Sequence, residues 1–253
     1  MSLRPRFVGF LGLADVVTAA NAALGFVAVV VAVDNPTLAA RLVLLAAVAD
    51  GLDGVVARRF GSTPVGGVAD SLADVVSFGV APAALVVVVA REWVAGGGAL
   101  GPLDGPVLSA LVVGVPALFV AAAVVRLAVY TAEDISERAT RGVQTTLAAT
   151  VLACAYLAGF DHATLLLGGT AVFTYLMVTR VRYPDLREAD ALGMGVVQVG
   201  AIAFPMLATQ ALPRLLLLAA LAYLTLAPSF YPDPDAAEEA EEADDASADP
   251  EML

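Results

Sequence analysis

The chain is 253 residues long, 60% hydrophobic, and has a mean hydropathy of +0.85, far more apolar surface than a soluble domain needs to fill its core. Its net charge of −12 sits almost entirely at one end: the last 23 residues hold ten acids and no base, which leaves −2 on the other 230. A basic nucleic-acid-binding domain is thereby excluded, and so is an internally disulfide-bonded scaffold, because Cys154 is the single cysteine.

In chain order, Arg4 and Arg6 precede an apolar run that is too long for a signal peptide and offers no convincing small-residue cleavage site, so it reads as a first spanning helix at 11–33. A hydrocarbon core of roughly 30 Å takes about 20 apolar residues per helix. Further windows of that kind lie at 37–57, 67–91, 106–130, 143–160, 162–179, 191–210 and 213–230. The expected fold is all-α, a polytopic membrane helix bundle of about eight transmembrane helices forming one membrane domain over 1–230. From Tyr231 the sequence is rich in Ala, Pro and acids with little to bury, and 231–253 reads as an acidic disordered tail. Cys154, in an apolar setting, reads as a packing residue, and His162 as a loop residue rather than a ligand.

All 13 basic residues are arginines. With the amino terminus inside, ten of them (Arg4, Arg6, Arg58, Arg59, Arg126, Arg138, Arg141, Arg180, Arg182 and Arg187) fall at cytoplasmic ends of the proposed spans, and three (Arg41, Arg91 and Arg214) fall opposite. Because basic residues stay on the cytoplasmic side, both termini are expected there.

Charged groups within spanning segments are costly unless paired, hydrated or metal-bound, so they mark where to look for function. Asp50 and Asp53 close the second helix at i,i+3, and Gly66, Asp70 and Asp74 open the third at i,i+4,i+8, so each set shares one helix face. The connection from Arg59 to Val65 is short and contains Gly61 and Pro64, which makes the two helices antiparallel neighbours. Four carboxylates are thus expected to converge. Clustered carboxylates repel one another unless cations lie between them, and an all-oxygen ligand set favours Mg²⁺ or Mn²⁺ over zinc. Two such ions held about 4 Å apart form a clamp for displacement at phosphorus. In the first helix Thr18, Asn21 and Gly25 form a polar and small stripe, readable either as the lining of a nucleotide pocket or as helix packing. Asp15, one turn earlier, reads as a cap or an interfacial residue.

The pattern Asp50-x-x-Asp53-Gly54-x-x-Ala57-Arg58, then Gly66-x-x-x-Asp70-x-x-x-Asp74, resembles the signature of the CDP-alcohol phosphotransferases. Its gap from Arg58 to Gly66 is seven residues, one fewer than usual in that family. The resemblance implies that Asp50, Asp53 and Asp70 are metal ligands, that Asp74 is a metal ligand or general base, and that a CDP-lipid is attacked by an alcohol with release of CMP. It places Gly54, Ala57, Arg58, Gly66, Thr18 and Asn21 at the CDP-lipid. For Arg58, a phosphate contact and a cytoplasmic anchor are both open readings.

Three further stretches resemble the phosphatidylserine synthase branch: Asp70 to Pro82, Arg126-Leu127-Ala128 with Arg141 to Thr146, and Tyr175 to Pro184. L-serine is therefore the expected acceptor, with inositol phosphate or glycerol phosphate as alternatives and a membrane transporter as the rival outside enzymes. Arg126 and Arg141 are candidates for the acceptor carboxylate or a lipid phosphate, or are topology anchors. The chain departs from the branch at Val129, Tyr130 and Thr131, where Arg-Phe-Asn is usual, and at Gln144, where proline is common. The absence of lysine and the acidic tail point to a high-salt cytoplasm, hence to CDP-archaeol as donor and archaetidylserine as product. Family resemblance also implies a homodimer in the membrane.

Overall fold

A computed structural model describes residues 11–61, 63–99, 105–133, 139–184 and 188–230. Arg4, Arg6, Arg138, Arg187 and the tail at 231–253 lie outside the described residues. The chain runs through α1 (Leu13–Ala32), α2 (Pro36–Phe60), α3 (Gly66–Asp74), a π-helical segment (Val75–Val80), α4 (Ala81–Ala95) and α5 (Gly105–Glu133). It continues through β1 (Ala139–Arg141), α6 (Thr145–Leu157), α7 (Ala163–Met177), β2 (Arg182–Pro184), α8 (Glu188–Ala203) and α9 (Ala211–Phe230).

Eight helical bodies match the eight windows read from hydropathy, with α3, the π segment and α4 forming one continuous rod. Length separates them, however. Three bodies, Leu13–Ala32, Gly66–Ala95 and Gly105–Ala132, are long and apolar enough to cross a membrane. Others are apolar but short: the 13 residues of α6 rise only about 20 Å, less than the roughly 30 Å hydrocarbon core. Large apolar side chains such as Phe26, Leu72, Tyr175, Val196 and Leu218 are 64–70% exposed, as expected for faces bathed in lipid rather than water.

The all-α bundle also carries one short strand pair. β1 and β2 pair antiparallel, Ala139 opposite Pro184 and Arg141 opposite Arg182. This short ladder joins the entry of α6 to the exit of α7. It continues as Gly142 N–H donates to the Val181 carbonyl at 2.7 Å and Val143 N–H to the Leu176 carbonyl at 3.1 Å. Gly142 has φ +72°, and a Cβ there would lie 2.5 Å from the Met177 carbonyl oxygen, so only glycine makes this turn without strain.

The hairpin of α1 and α2 turns through Asp34 and Asn35. The Asn35 side chain caps α2 by accepting from Leu38 N–H at 2.9 Å, and Pro36 occupies the first turn, where no N–H is needed. Fully buried Ala28, Ala32, Ala39, Ala40 and Ala46 line the contact, since small side chains let membrane helices approach closely. The π segment has an identifiable cause: Pro82 cannot donate to residue 78, and its ring would collide with that carbonyl in a regular α-helix. Widening the preceding turn presses Ser77 onto α1, where its hydroxyl donates to the Asn21 carbonyl at 2.8 Å. A Cβ on Gly25 would lie 2.6 Å from Ser77 Oγ and 2.7 Å from its Cα. Gly25 is therefore the crossing point of α1 with the rod.

Candidate active site

Where α2 ends and α3 begins, Asp50, Asp70 and Asp74 each bring one carboxylate oxygen within 4.8 Å of the others. The i,i+4 spacing of Asp70 and Asp74 aligns them on α3, and the short α2–α3 connection sets Asp50 against them. Thr146, at the start of α6, lies beside Asp50 as a hydrogen-bond donor. Like charges at that separation repel by about 3 kcal/mol per pair at an effective dielectric of about 20. Yet Asp70 Oδ1 and Asp74 Oδ1 are buried without any hydrogen-bond partner. Buried, unpartnered, mutually repelling oxygens with no nitrogen or sulfur among them fit a hard divalent cation.

Asp53 stands beside that trio rather than within it. It is 7% exposed and turns toward α1, where Thr18 Oγ1 lies 2.8 Å from its Oδ2 and 3.1 Å from the Ala14 carbonyl. It still acts electrostatically on Asp50, Asp70 and Asp74. Thus three of the four carboxylates converge and the fourth flanks them, with one oxygen held by Thr18.

Each residue of the stripe on α1 meets a neighbouring element. Thr18 holds Asp53, Asn21 accepts Ser77 through its backbone, and Gly25 lets the π segment close. The side-chain amide of Asn21 is fully buried, and neither of its polar atoms has a partner. Asp15 is a cap and a tether: it accepts Gly12 N–H at 2.7 Å and the Thr63 hydroxyl at 3.1 Å, pinning the α2–α3 connection. A Cβ on Gly66 would sit 3.4 Å from Asp15 Oδ1, a tight fit. Gly54 leaves room for the chain's own Arg58, whose Nη1 would be 3.5 Å from a Cβ there. Arg58 is exposed and Ala57 half-buried.

A cavity of about 470 Å³ opens beside the aspartates, lined by Asp70 and Asp74 from α3, Arg126, Tyr130 and Thr131 from α5, and Gln144, Thr145 and Thr146 at the start of α6. Arg126 is only 8% exposed. Its Cζ lies 4.5 Å from the centroid of the Tyr130 ring. The Tyr130 hydroxyl accepts from Arg141 N–H at 2.6 Å and donates to the Arg141 carbonyl at 2.8 Å. Ser71 and Thr131 bond through their hydroxyls, linking α3 to α5. A second, apolar hollow of about 290 Å³ adjoins this cavity along α3 and α5 and shares Val68, Ser71, Leu127 and Thr131 with it.

The model of the CDP-alcohol phosphatidyltransferase family matches residues 11–181, which include every one of these positions. The chain belongs to that family. The transferase is also 29% identical over 192 residues, covering 74% of this chain and 75% of the relative, to an archaetidylserine synthase of Methanothermobacter thermautotrophicus strain Delta H. The family and the apolar helices together make this a membrane protein that transfers lipid head groups. Sequence reasoning missed Tyr130, Thr145 and Thr146 in the transferase. Tyr130 stands in a segment that departs from the branch's usual wording, and the resemblance over Arg141 to Thr146 does not by itself show that Thr145 and Thr146 turn toward the acid cluster.

Proposed function

We propose that the transferase joins L-serine to the lipid of a CDP-activated donor, releasing CMP, with archaetidylserine as product. The observation that carries this reading is one cavity lined both by Asp70 and Asp74, each with an unpartnered carboxylate oxygen, and by a buried arginine, Arg126. An acceptor bearing both a nucleophilic hydroxyl and an anionic group matches both. The similarity to a synthase of archaetidylserine and the lysine-free, acidic composition support the archaeol-type donor.

In the proposed reaction the serine hydroxyl oxygen bonds to the lipid-side phosphorus while the bond from that phosphorus to the oxygen of CMP breaks, and CMP leaves with the electron pair. Asp74, which lines the cavity, takes the hydroxyl proton on its carboxylate. Asp50, Asp70 and Asp74, flanked by Asp53, would hold Mg²⁺ or Mn²⁺, which when bound supplies positive charge at the diphosphate. Thr18 keeps Asp53 oriented. Arg58, exposed beyond Gly54, is placed to meet a donor phosphate arriving from the aqueous side. The site lies at the end of the bundle that carries Arg58, Arg59, Arg126 and Arg141, which supports a cytoplasmic orientation.

The test is CMP release from purified protein with a CDP-lipid and Mn²⁺ or Mg²⁺, comparing L-serine with inositol phosphate and glycerol phosphate. Metal-dependent release with L-serine, abolished by chelator and reduced at least about 10³-fold in Asp74→Asn, is expected. Release only with another alcohol would replace the acceptor. Silence with every acceptor in well-folded protein would overturn the proposed reaction.

A further inference from the structure

The part of the cavity formed by α5 and α6 holds donors with nothing to bind. Arg126 is buried, and its Nε has no hydrogen-bond partner. Thr145 is 2% exposed, and its Oγ1 is likewise unpartnered. Thr145 is also the first residue of the 13-residue helix α6, whose N-cap, Gln144, makes no side-chain capping bond. The N–H groups of a first helical turn have no acceptor within the helix. Burying donors unsatisfied is destabilising, and both belong to residues that line one cavity beside an uncapped helix start, so together they make a site that an anion completes.

The acceptor proposed above names the anion: L-serine carries a carboxylate, and a guanidinium with a hydroxyl donor and a helix start beside it is the surrounding such a group needs. We infer that Arg126, Thr145 and the α6 N-terminus form a carboxylate pocket that holds the acceptor's α-carboxylate and so presents its hydroxyl to Asp74. The inference rests on the serine reading above and adds to it the group by which the acceptor is recognised. Tyr130 is the positioning residue of this pocket. Its ring supports the Arg126 guanidinium, and its hydroxyl clasps the backbone of Arg141, fastening α5 to the strand that leads into α6.

The experiment measures KM for acceptor and donor from CMP release by the full chain with CDP-lipid and Mn²⁺. Thr145→Val removes the hydroxyl at nearly constant volume. It is expected to raise the KM for L-serine roughly three- to tenfold with the donor KM within about twofold, and Thr145→Ser is expected to restore it. Arg126→Gln is expected to raise the same KM more than about tenfold. The unaltered protein supplies a test that misfolding cannot spoil: L-alanine, which keeps the carboxylate and lacks the hydroxyl, should compete with L-serine, and ethylamine should not. Turnover of L-serine with its KM unmoved in both variants, or equal competition by alanine and ethylamine, would overturn the pocket and leave the serine reading standing. Turnover of glycerol phosphate but not L-serine would overturn the serine reading and the carboxylate occupant together.

Discussion

Asp50, Asp70 and Asp74 hold oxygens within 4.8 Å of one another, an arrangement that costs the metal-free protein stability in proportion to its charge. Removing one charge without changing shape should therefore have opposite effects on stability and function. Asp70→Asn is expected to raise the unfolding temperature of chelator-treated protein by roughly 5–10 °C, the equivalent of about 3 kcal/mol in a chain of this size. The same change should lower CMP release at least about 10³-fold. Mn²⁺ should then stabilise the unsubstituted protein far more than the variant, because ligand binding adds to stability only where the site is intact. A thermal melt with and without Mn²⁺ reads both effects, and a variant less stable than the parent in chelator would refute the repulsion. Thr18 makes a subtler case. Thr18→Val frees the Asp53 oxygen it holds at 2.8 Å, and a loss of activity of about tenfold is expected from one misdirected carboxylate. An unchanged rate would show that Asp53 needs no such support.

At the scale of elements, two glycines hold the site's scaffold together. Gly142 sits at φ +72° against the Met177 carbonyl, where β1 hands over to α6. Gly142→Ala should cost about 1–3 kcal/mol in strain and misplace Thr145 and Thr146. Gly25→Ala would drive α1 away from Ser77, one turn beyond Asp74. Overpacking of that kind costs about 1–3 kcal/mol and should lower activity along with the unfolding temperature. Melting and CMP release measured side by side would expose either claim as wrong if the variants matched the parent. Helix ends on the far side of the bundle show a related economy. Arg41 Nε donates to the Ile202 carbonyl at 2.6 Å, and Arg214 Nε to the Ala158 carbonyl at 3.1 Å. Both carbonyls belong to the last turn or cap of a helix, where a cation is favourable. Two of the three arginines that stand against the positive-inside pattern therefore have a structural task.

For the molecule as a whole, the chain alternates between two ends, and those ends predict its orientation. The connections at 61–65, 139–144 and 178–184 lie with the aspartates, whereas 33–35, 96–99, 158–162 and 204–210 lie opposite. Cys154 is fully buried, so the natural chain is a silent background for thiol labelling. A cysteine introduced at Thr63 should react with an impermeant maleimide only from the cytoplasmic side, and one at Gly97 only from the other. Labelling in the reverse sense would invert the proposed topology and move the site to the outside.

Much of this protein was legible without its structure because the decisive signals are local. Helical periodicity needs only neighbours, so seven of the eight windows fell within a few residues of a helical body among the described residues, the window at 191–210 overrunning the end of α8 by seven, and the spacing of Asp50, Asp53, Gly66, Asp70 and Asp74 fixed which side chains share a face. Tertiary structure alone decided what each side chain then touches. It turned Asp53 to Thr18, 35 residues away in sequence, placed Tyr130 beneath Arg126, and left Thr145 Oγ1 and Arg126 Nε without hydrogen-bond partners on residues that line one cavity. It also showed that α6 is too short to be a full span, and that a small β ladder holds its entry. Periodicity along one helix dictates direction, but the choice of partner is set by how separate helices cross. That crossing depends on a glycine here and a π turn there, whose effects reach far along the chain.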